Sequence, residues 1–320
     1  MIRPRLLRKA GWMLREEPKL KHTFEEVGTR EDLASPGLGA CLGCAMEVSL
    51  RFALKVLGRN TILFLPAGCA VAVGTAGFGR TTGLKIPVVM PLLTQAASLP
   101  SGVKRHFLRQ GIDANVVVFA GDATTADLGF ASVSGAAERG ENIIYICYDN
   151  EGPMNTGYQR GSTTSYMAAT PTTPVGTVTR GKGQPAKDVP LIMAMHRVAY
   201  VATASIAYPY DYRAKLERAM RVKDGFVYIH LLSPCVSGWR FDSEMTMEVG
   251  RMAVESNAFP LWEADHGRLR ITKRVAFPRP VKDYLQLQGR FRHLSDAEVS
   301  EIQKMANRRL RELEALTRIR

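Results

Sequence analysis

Two short runs of almost wholly apolar residues, each stopped by a carboxylate, constrain this chain more than any other feature. Residues 115–120 read NVVVFA and stop at Gly121-Asp122; residues 142–148 read NIIYICY and stop at Asp149-Asn150. β-Branched and aromatic residues dominate both runs, as they do in strands. Neither run alternates with polar residues, so both faces of each strand must be covered by other elements. The segment between them has the apolar spacing of a helix over 127–139. Strand, glycine turn, helix, strand is the order of a parallel βαβ unit.

The same alternation continues on either side. The pattern predicts helices over 46–57, 98–110, 187–196, 210–222 and 242–256, and strands over 61–66, 199–204 and 226–232. Residues 68–83 are small and glycine-rich and read as a loop or a close-packed helix start. Two short β stretches fall over 259–264 and 268–273. A final helix follows Ser295-Asp-Ala-Glu298, a capping-box sequence. The expected fold class is therefore α/β, a mostly parallel sheet with helices on both faces. The expected divisions are a basic N-terminal arm over 1–35, a compact domain over 36–258 and a C-terminal extension over 259–320.

Composition narrows the class of function. At 320 residues and 46% apolar content the chain buries a large core without disulfides. No apolar run approaches the roughly 20 residues that span a bilayer. The basic start lacks the apolar segment of a secretory signal, so a cytoplasmic protein with no membrane partner is expected. The net charge of +13 favours anionic partners. That charge concentrates in the first 22 residues and from Arg268 to the end. No helix-turn-helix, zinc-finger or RRM signature accompanies it, so docking of partner proteins is expected and nucleic-acid binding is not.

Five cysteines stand at 41, 44, 69, 147 and 235. Cys41-Leu-Gly-Cys44 brings two thiols within reach of one metal centre or makes a redox pair. Cys69 and Cys235 lie in Pro/Gly turns, whose backbones can curl around a cluster. A [4Fe–4S] cluster takes four thiolates and tolerates wide spacing; core packing is the competing reading. Cys147 lies inside NIIYICY and reads as a small buried hydrophobe.

Asp122 falls at the carboxyl end of a parallel strand, where α/β sheets bind ligands. A carboxylate repels phosphate, but it can hold a Mg²⁺ that bridges to a diphosphate. Asn150, at the end of the next strand, can supply a second oxygen. The bland alternative for Asp122 is a helix cap.

Together these pieces resemble the thiamine-diphosphate-binding beta subunits of the 2-oxoacid:ferredoxin oxidoreductases, such as the pyruvate:ferredoxin oxidoreductase (pyruvate synthase) family. The resemblance covers roughly residues 37–295. It is carried by GDATTADLGFASVSGAAERGENIIYICYDNEGPMNTGYQRGSTTSYMAATPTTPVG from Gly121 to Gly176, HLLSPCVSGWRF from His230 to Phe241, RPVKDYLQLQGRFRHL, and CLGC.

The resemblance implies that Asp122, Asn150 and the carbonyl of Gly152 hold Mg²⁺. It implies that Gly121, Ala123, Thr124, Asn155 and Thr156 contact thiamine diphosphate, with Asn155 facing the reacting centre. It implies that Cys41, Cys44, Cys69 and Cys235 ligate one [4Fe–4S] cluster and leaves Cys147 without a role. The implied activity is oxidative decarboxylation of a 2-oxoacid, pyruvate first, to acyl-CoA and CO₂, with electrons passing through the cluster to ferredoxin. The implied partners are an alpha subunit carrying the pyrimidine half of the site, gamma and delta subunits, ferredoxin and coenzyme A.

Three departures matter. Ala123 replaces the usual glycine after Gly-Asp, at about 1 kcal/mol if the position needs positive φ. Ala45-Met46 follows the CxxC where Gly-Glu is usual. Ala-Val-Ala-Val after Cys69 is small-chained, which suggests a pocket for a bulkier acid such as phenylglyoxylate or a branched-chain 2-oxoacid. The rival readings are a non-redox thiamine enzyme and an iron–sulfur scaffold whose thiamine site has decayed. The six histidines are scattered and read as structural or surface. The Gly77-Phe-Gly79 turn lacks the context of a dinucleotide site. The Thr/Ser/Pro run over 161–174 reads as a mobile loop or a lid.

Overall fold

The computed structural model describes residues 26–74 and 83–318. Most of the basic arm, His22 and the Gly77–Gly79 turn lie outside the described residues.

The strands are β1 (Thr61–Phe64), β2 (Val88–Val89), β3 (Asn115–Gly121), β4 (Ile144–Asp149), β5 (Tyr200–Ser205), β6 (Val227–Leu232), β7 (Trp262–Asp265) and β8 (Arg268–Ile271). The helices are α1 (Ala45–Leu57), α2 (Cys69–Gly74), α3 (Ser98–Arg109), α4 (Phe130–Glu138), α5 (Val189–Met195), α6 (Pro209–Arg221), α7 (Val236–Trp239), α8 (Thr246–Glu255), α9 (Val281–Gln286) and α10 (Asp296–Leu316). All eight strands form one sheet in the order β2-β1-β3-β4-β6-β5-β7-β8. Pairing is parallel from β2 through β5, and β7 and β8 join antiparallel.

The apolar runs explain the layers. Every residue of β4 is buried, and successive side chains point to opposite faces. Ile144, Ile146 and Tyr148 join Val117 and Phe119 in one core, under α1 and α6. There Phe52 stacks on Tyr212 with ring centroids 5.7 Å apart. Tyr145 and Cys147 join Val116, Val118 and Ala120 in the other core, under α4 and α5. The two-sided cover inferred from the sequence is thus observed, and Cys147 is a fully buried core residue.

Two parts of the pattern differ. The helix expected over 127–139 starts earlier, with a π-helical turn (Ala123–Leu128) leading into α4. The chain after residue 258 remains on the sheet, since β7 and β8 extend it and Leu313 of α10 packs into the second core. A third core of Trp239, Val249, Met252, Tyr284 and Phe291 gathers α8 and α9. Among the described residues no helix is long and apolar enough to cross a membrane.

The capping box forms as expected. Ser295 Oγ accepts from Glu298 N at 3.3 Å, and the Glu298 carboxylate accepts from Ser295 N at 2.7 Å. Because α10 is packed on the sheet, its cap contributes to the stability of the whole body. Ser295→Ala should lower unfolding free energy by about 1 kcal/mol in a denaturant titration.

Candidate functional site

Topology assembles the site. Strands β1, β3, β4 and β6 are neighbours in the sheet. Gly121 lies opposite Tyr148, and Asp149 opposite Leu232, so they end at one level. Each runs out into a turn that carries a candidate residue: Cys69 after β1, Asp122 after β3, Asn150 after β4 and Cys235 after β6. A cavity of about 230 Å³ opens along this edge, lined by Gly68, Cys69, Gly121, Asp122, Ala123, Thr124, Tyr148, Asn150, Gly152, Asn155 and Thr156. Thr124 is buried, whereas Asn155 and Thr156 are exposed.

Three oxygen-bearing groups converge at its floor. One terminal atom of the Asn150 carboxamide lies 2.8 Å from Asp122 Oδ1 and 2.9 Å from the Gly152 carbonyl. With nitrogen in that place the amide donates to both. With oxygen there, three oxygens face one another, and a cation or a proton on Asp122 must join them. The Asp122 carboxyl is buried, and burial together with the nearby Asp149 pushes its pKa well above the usual carboxylate range. A donated hydrogen bond from Thr163 Oγ1 to Asp122 Oδ2, at 2.7 Å, opposes that rise. Carboxylate, amide oxygen and carbonyl are the hard ligands that Mg²⁺ takes, so these residues fit the ion. Gly152 has φ +153°, and a Cβ there would stand 2.6 Å from the Gln159 carbonyl, so the loop admits no side chain at that point.

The turn behind these ligands is held by groups that sequence reasoning did not assign. The Glu151 carboxylate accepts from Arg290 Nη1 at 2.7 Å and from Ser165 N at 3.0 Å. Asp149 accepts from Glu151 N at 2.8 Å and pairs with His230 Nε2 at 2.9 Å. Trp239 Nε1 donates to the Asn150 carbonyl at 2.8 Å. His230, Trp239 and Arg290 all fall in stretches that carried the family resemblance, and that was the one signal for them.

The run over 161–174 is anchored at its start. Thr164 Oγ1 donates to the Glu151 carbonyl at 2.6 Å, and buried Lys182 donates to the carbonyls of Ser162 and Thr164. A larger cavity of about 420 Å³ runs under α9 and α10, past His230, Phe259 and Tyr284. It contains none of the expected site residues.

The four candidate ligand cysteines lie near one another. Cys44 N donates to the Cys41 carbonyl at 3.1 Å, which closes the CxxC turn at the start of α1. Gly43 in that turn has φ +71°, and a Cβ would stand 2.3 Å from the Ser243 carbonyl. Thr246 Oγ1 donates to the Gly43 carbonyl at 2.6 Å, so the CxxC turn rests on the chain that follows Cys235. Burial, and repulsion from the other thiols of the set, push Cys44 up to about 11 and Cys69 up to about 12. Burial also raises Cys235. Such thiols ionise on binding a metal centre. Among the described residues no three His, Cys, Asp or Glu side chains are close enough for a single ion. A centre of several metal atoms holds its thiolates further apart than a single ion does. Cys41 is exposed, which puts one corner of the set at the surface.

Residues 70–231 match the thiamine pyrophosphate enzyme family through its C-terminal TPP binding domain, so the edge described above lies in a thiamine-diphosphate-binding class of fold. The chain is 50% identical over 283 residues to the NADH-dependent phenylglyoxylate dehydrogenase subunit beta of Aromatoleum evansii, covering 88% of this chain and 64% of that one. It is 46% identical over 284 residues to the pyruvate synthase subunit PorB of Methanothermobacter thermautotrophicus, covering 88% and 98%. It is 37% identical over 276 residues to the ketoisovalerate oxidoreductase subunit VorB of Pyrococcus furiosus, covering 84% and 88%. In fold it resembles a chain of the 2-oxoglutarate:ferredoxin oxidoreductase from Magnetococcus marinus, with TM-score 0.53, 21% identity and coverage of 69% and 79%. The chain belongs to the beta subunits of the thiamine-diphosphate-dependent 2-oxoacid:ferredoxin oxidoreductases. It spans less than two thirds of the phenylglyoxylate relative and nearly all of the pyruvate synthase one.

Ala123 lies in the π-helical turn and is absent from the residues of positive φ. The methyl therefore costs no backbone strain. Ala123→Gly should lower stability by roughly 0.5–1 kcal/mol rather than raise it, read as a reduced denaturation midpoint.

Proposed function

We propose that this chain binds thiamine diphosphate through Mg²⁺ at Asp122, Asn150 and the Gly152 carbonyl, and one [4Fe–4S] cluster at Cys41, Cys44, Cys69 and Cys235. It serves as the beta subunit of a complex that oxidatively decarboxylates a 2-oxoacid to acyl-CoA and CO₂. The observation that carries this reading is the convergence of three oxygen-bearing groups with Cys69 and Cys235 on one sheet edge, with Asn150 Nδ2 3.9 Å from Cys69 Sγ. The bound thiamine diphosphate supplies the carbanion chemistry of decarboxylation, which no side chain can provide.

The chain's own residues do the rest. Asp122 and Asn150 orient the metal, and Thr163 holds the Asp122 carboxylate in place. Gly121, Ala123 and Thr124 form the wall for the diphosphate. Asn155 and Thr156, at the exposed rim, face an incoming substrate. The alpha subunit completes the pyrimidine half, the basic ends and the extension dock partner subunits, and gamma and delta subunits lead electrons to ferredoxin. A cytoplasmic setting would keep the proposed ligand thiols reduced.

Pyruvate is the first substrate on this reading, in keeping with the relative that the chain matches nearly end to end. A second reading, an aryl 2-oxoacid, is favoured by the 50% identity to the phenylglyoxylate relative. The small residues after Cys69 do not favour it: Ala70 and Val73 are buried in the core, and the stretch lines the cavity only as far as Cys69.

Anaerobic purification of the chain with its co-purifying subunits should give one thiamine diphosphate per beta chain and about four irons per beta chain beyond those that the electron-transfer subunits carry. Cys69→Ser and Cys235→Ser should lose iron, and Cys147→Ser should keep it. Thiamine diphosphate without iron would sink the cluster assignment. In the same preparation, acceptor reduction with pyruvate should exceed that with phenylglyoxylate or 2-ketoisovalerate. The reverse order would assign the aryl or branched substrate.

A further inference from the structure

The stretch RPVKDYLQLQGRFRHL carries a residue with no role in the reading above. Arg290 is a fully buried guanidinium, 2% exposed, supplied from beyond α9. Its Nη1 donates to Glu151, whose neighbours in sequence are the proposed metal ligands Asn150 and Gly152. Glu151 itself has φ +65°, a conformation that side chains other than glycine adopt rarely and that surrounding contacts must enforce. The enforcing contacts are Arg290 and Ser165 N on its carboxylate and Thr164 Oγ1 on its carbonyl.

Arg290 also touches the cluster side. Its guanidinium carbon lies 3.9 Å from the centroid of a Trp239 ring. Trp239 N donates to the Cys235 carbonyl at 2.8 Å, and Trp239 Nε1 donates to the Asn150 carbonyl at 2.8 Å. Gly289 N donates to the Arg240 carbonyl at 3.0 Å, so the segment before Arg290 lies directly on the Cys235 turn. Gln288 fixes Arg290 Nε at 2.9 Å, and Nη2 is buried with no hydrogen-bond partner among the described residues. One cation thus contacts the metal loop through Glu151 and the cluster turn through Trp239.

We propose that Arg290 is a positioning residue that locks the metal loop and the cluster turn into one unit, and that the buried Arg290–Glu151 pair sets the charge felt by the cluster. The inference rests on the cofactor assignments above. A buried pair adds little stability, but removing one partner strands the other charge in the interior. Without Arg290, the bare Glu151 carboxylate disfavours the more negative, reduced cluster, and the midpoint potential falls. Without the Glu151 charge, the bare guanidinium favours the reduced cluster, and the potential rises.

The test uses the anaerobically purified complex with wild type, Arg290→Gln, Arg290→Lys and Glu151→Gln. Affinity for thiamine diphosphate with Mg²⁺ is measured by titration, and the cluster midpoint by EPR-monitored redox titration. Arg290→Gln should weaken thiamine diphosphate binding roughly tenfold or more, the usual loss when an outer contact of a metal site is removed. Its midpoint should move negative, that of Glu151→Gln should move positive, and Arg290→Lys should return it toward wild type. Simple loosening of the fold would move both charge-removing variants the same way, and that result overturns the proposal. So does an Arg290→Gln complex with wild-type affinity and midpoint. A wild-type complex lacking iron and thiamine diphosphate removes the functional reading itself, before any variant is compared.

Discussion

Asp122, Asp149 and Glu151 are three buried acids close enough to act on one another at one end of the sheet. Burying carboxylates together is costly unless each finds a compensating charge or donor. Glu151 has the Arg290 guanidinium, and Asp149 has His230 and the Glu151 amide. Asp122 has the Thr163 hydroxyl and no cation among the described residues. The protein thus satisfies two of the three acids internally and leaves the third beside an amide and a carbonyl. That imbalance is one a metal ion at this edge would relieve, and the neighbouring segments serve to maintain it.

Maintaining it takes chain from far away. Thr163 reaches Asp122 across 41 positions, His230 reaches Asp149 across 81, and Arg290 reaches Glu151 across 139. The parallel sheet makes this possible because its strands end at one level, so every following turn arrives at the same edge. The C-terminal chain belongs to that arrangement. Its two strands extend the sheet, its long helix packs on the second core, and the segment between them carries Arg290 to the site.

What the sequence made legible were features with strong local signatures. NVVVFA and NIIYICY declared the central strands, their closing residues placed Asp122 and Asn150, and Cys147 was assigned to the core because it sits mid-strand. The contributions of Thr163, His230 and Arg290 were not legible. A hydroxyl, an imidazole or a guanidinium acquires its role from what it meets after folding, and no spacing encodes that meeting. Ala123 was misleading for a related reason. The motif suggests a glycine conformation, but the observed π-helical turn keeps φ negative, so the methyl carries no penalty. The small residues after Cys69 looked like pocket lining, yet Ala70 and Val73 face the core, where small volume lets α2 pack closely.

Asn150 ties the two halves of the site together. Its carboxamide has one polar end toward Asp122 and Gly152 and the other toward Cys69 Sγ. With no cation present, nitrogen belongs on the acid side, where it donates to Asp122 and to the Gly152 carbonyl. A cation on that side demands oxygen, which turns the NH₂ group to Cys69. A thiolate at Cys69 demands the same orientation, because a negative sulfur accepts a hydrogen bond and repels a carbonyl oxygen. On the proposed assignments a metal at Asp122 and a thiolate at Cys69 would call for the same amide orientation, so this one side chain would link the two centres.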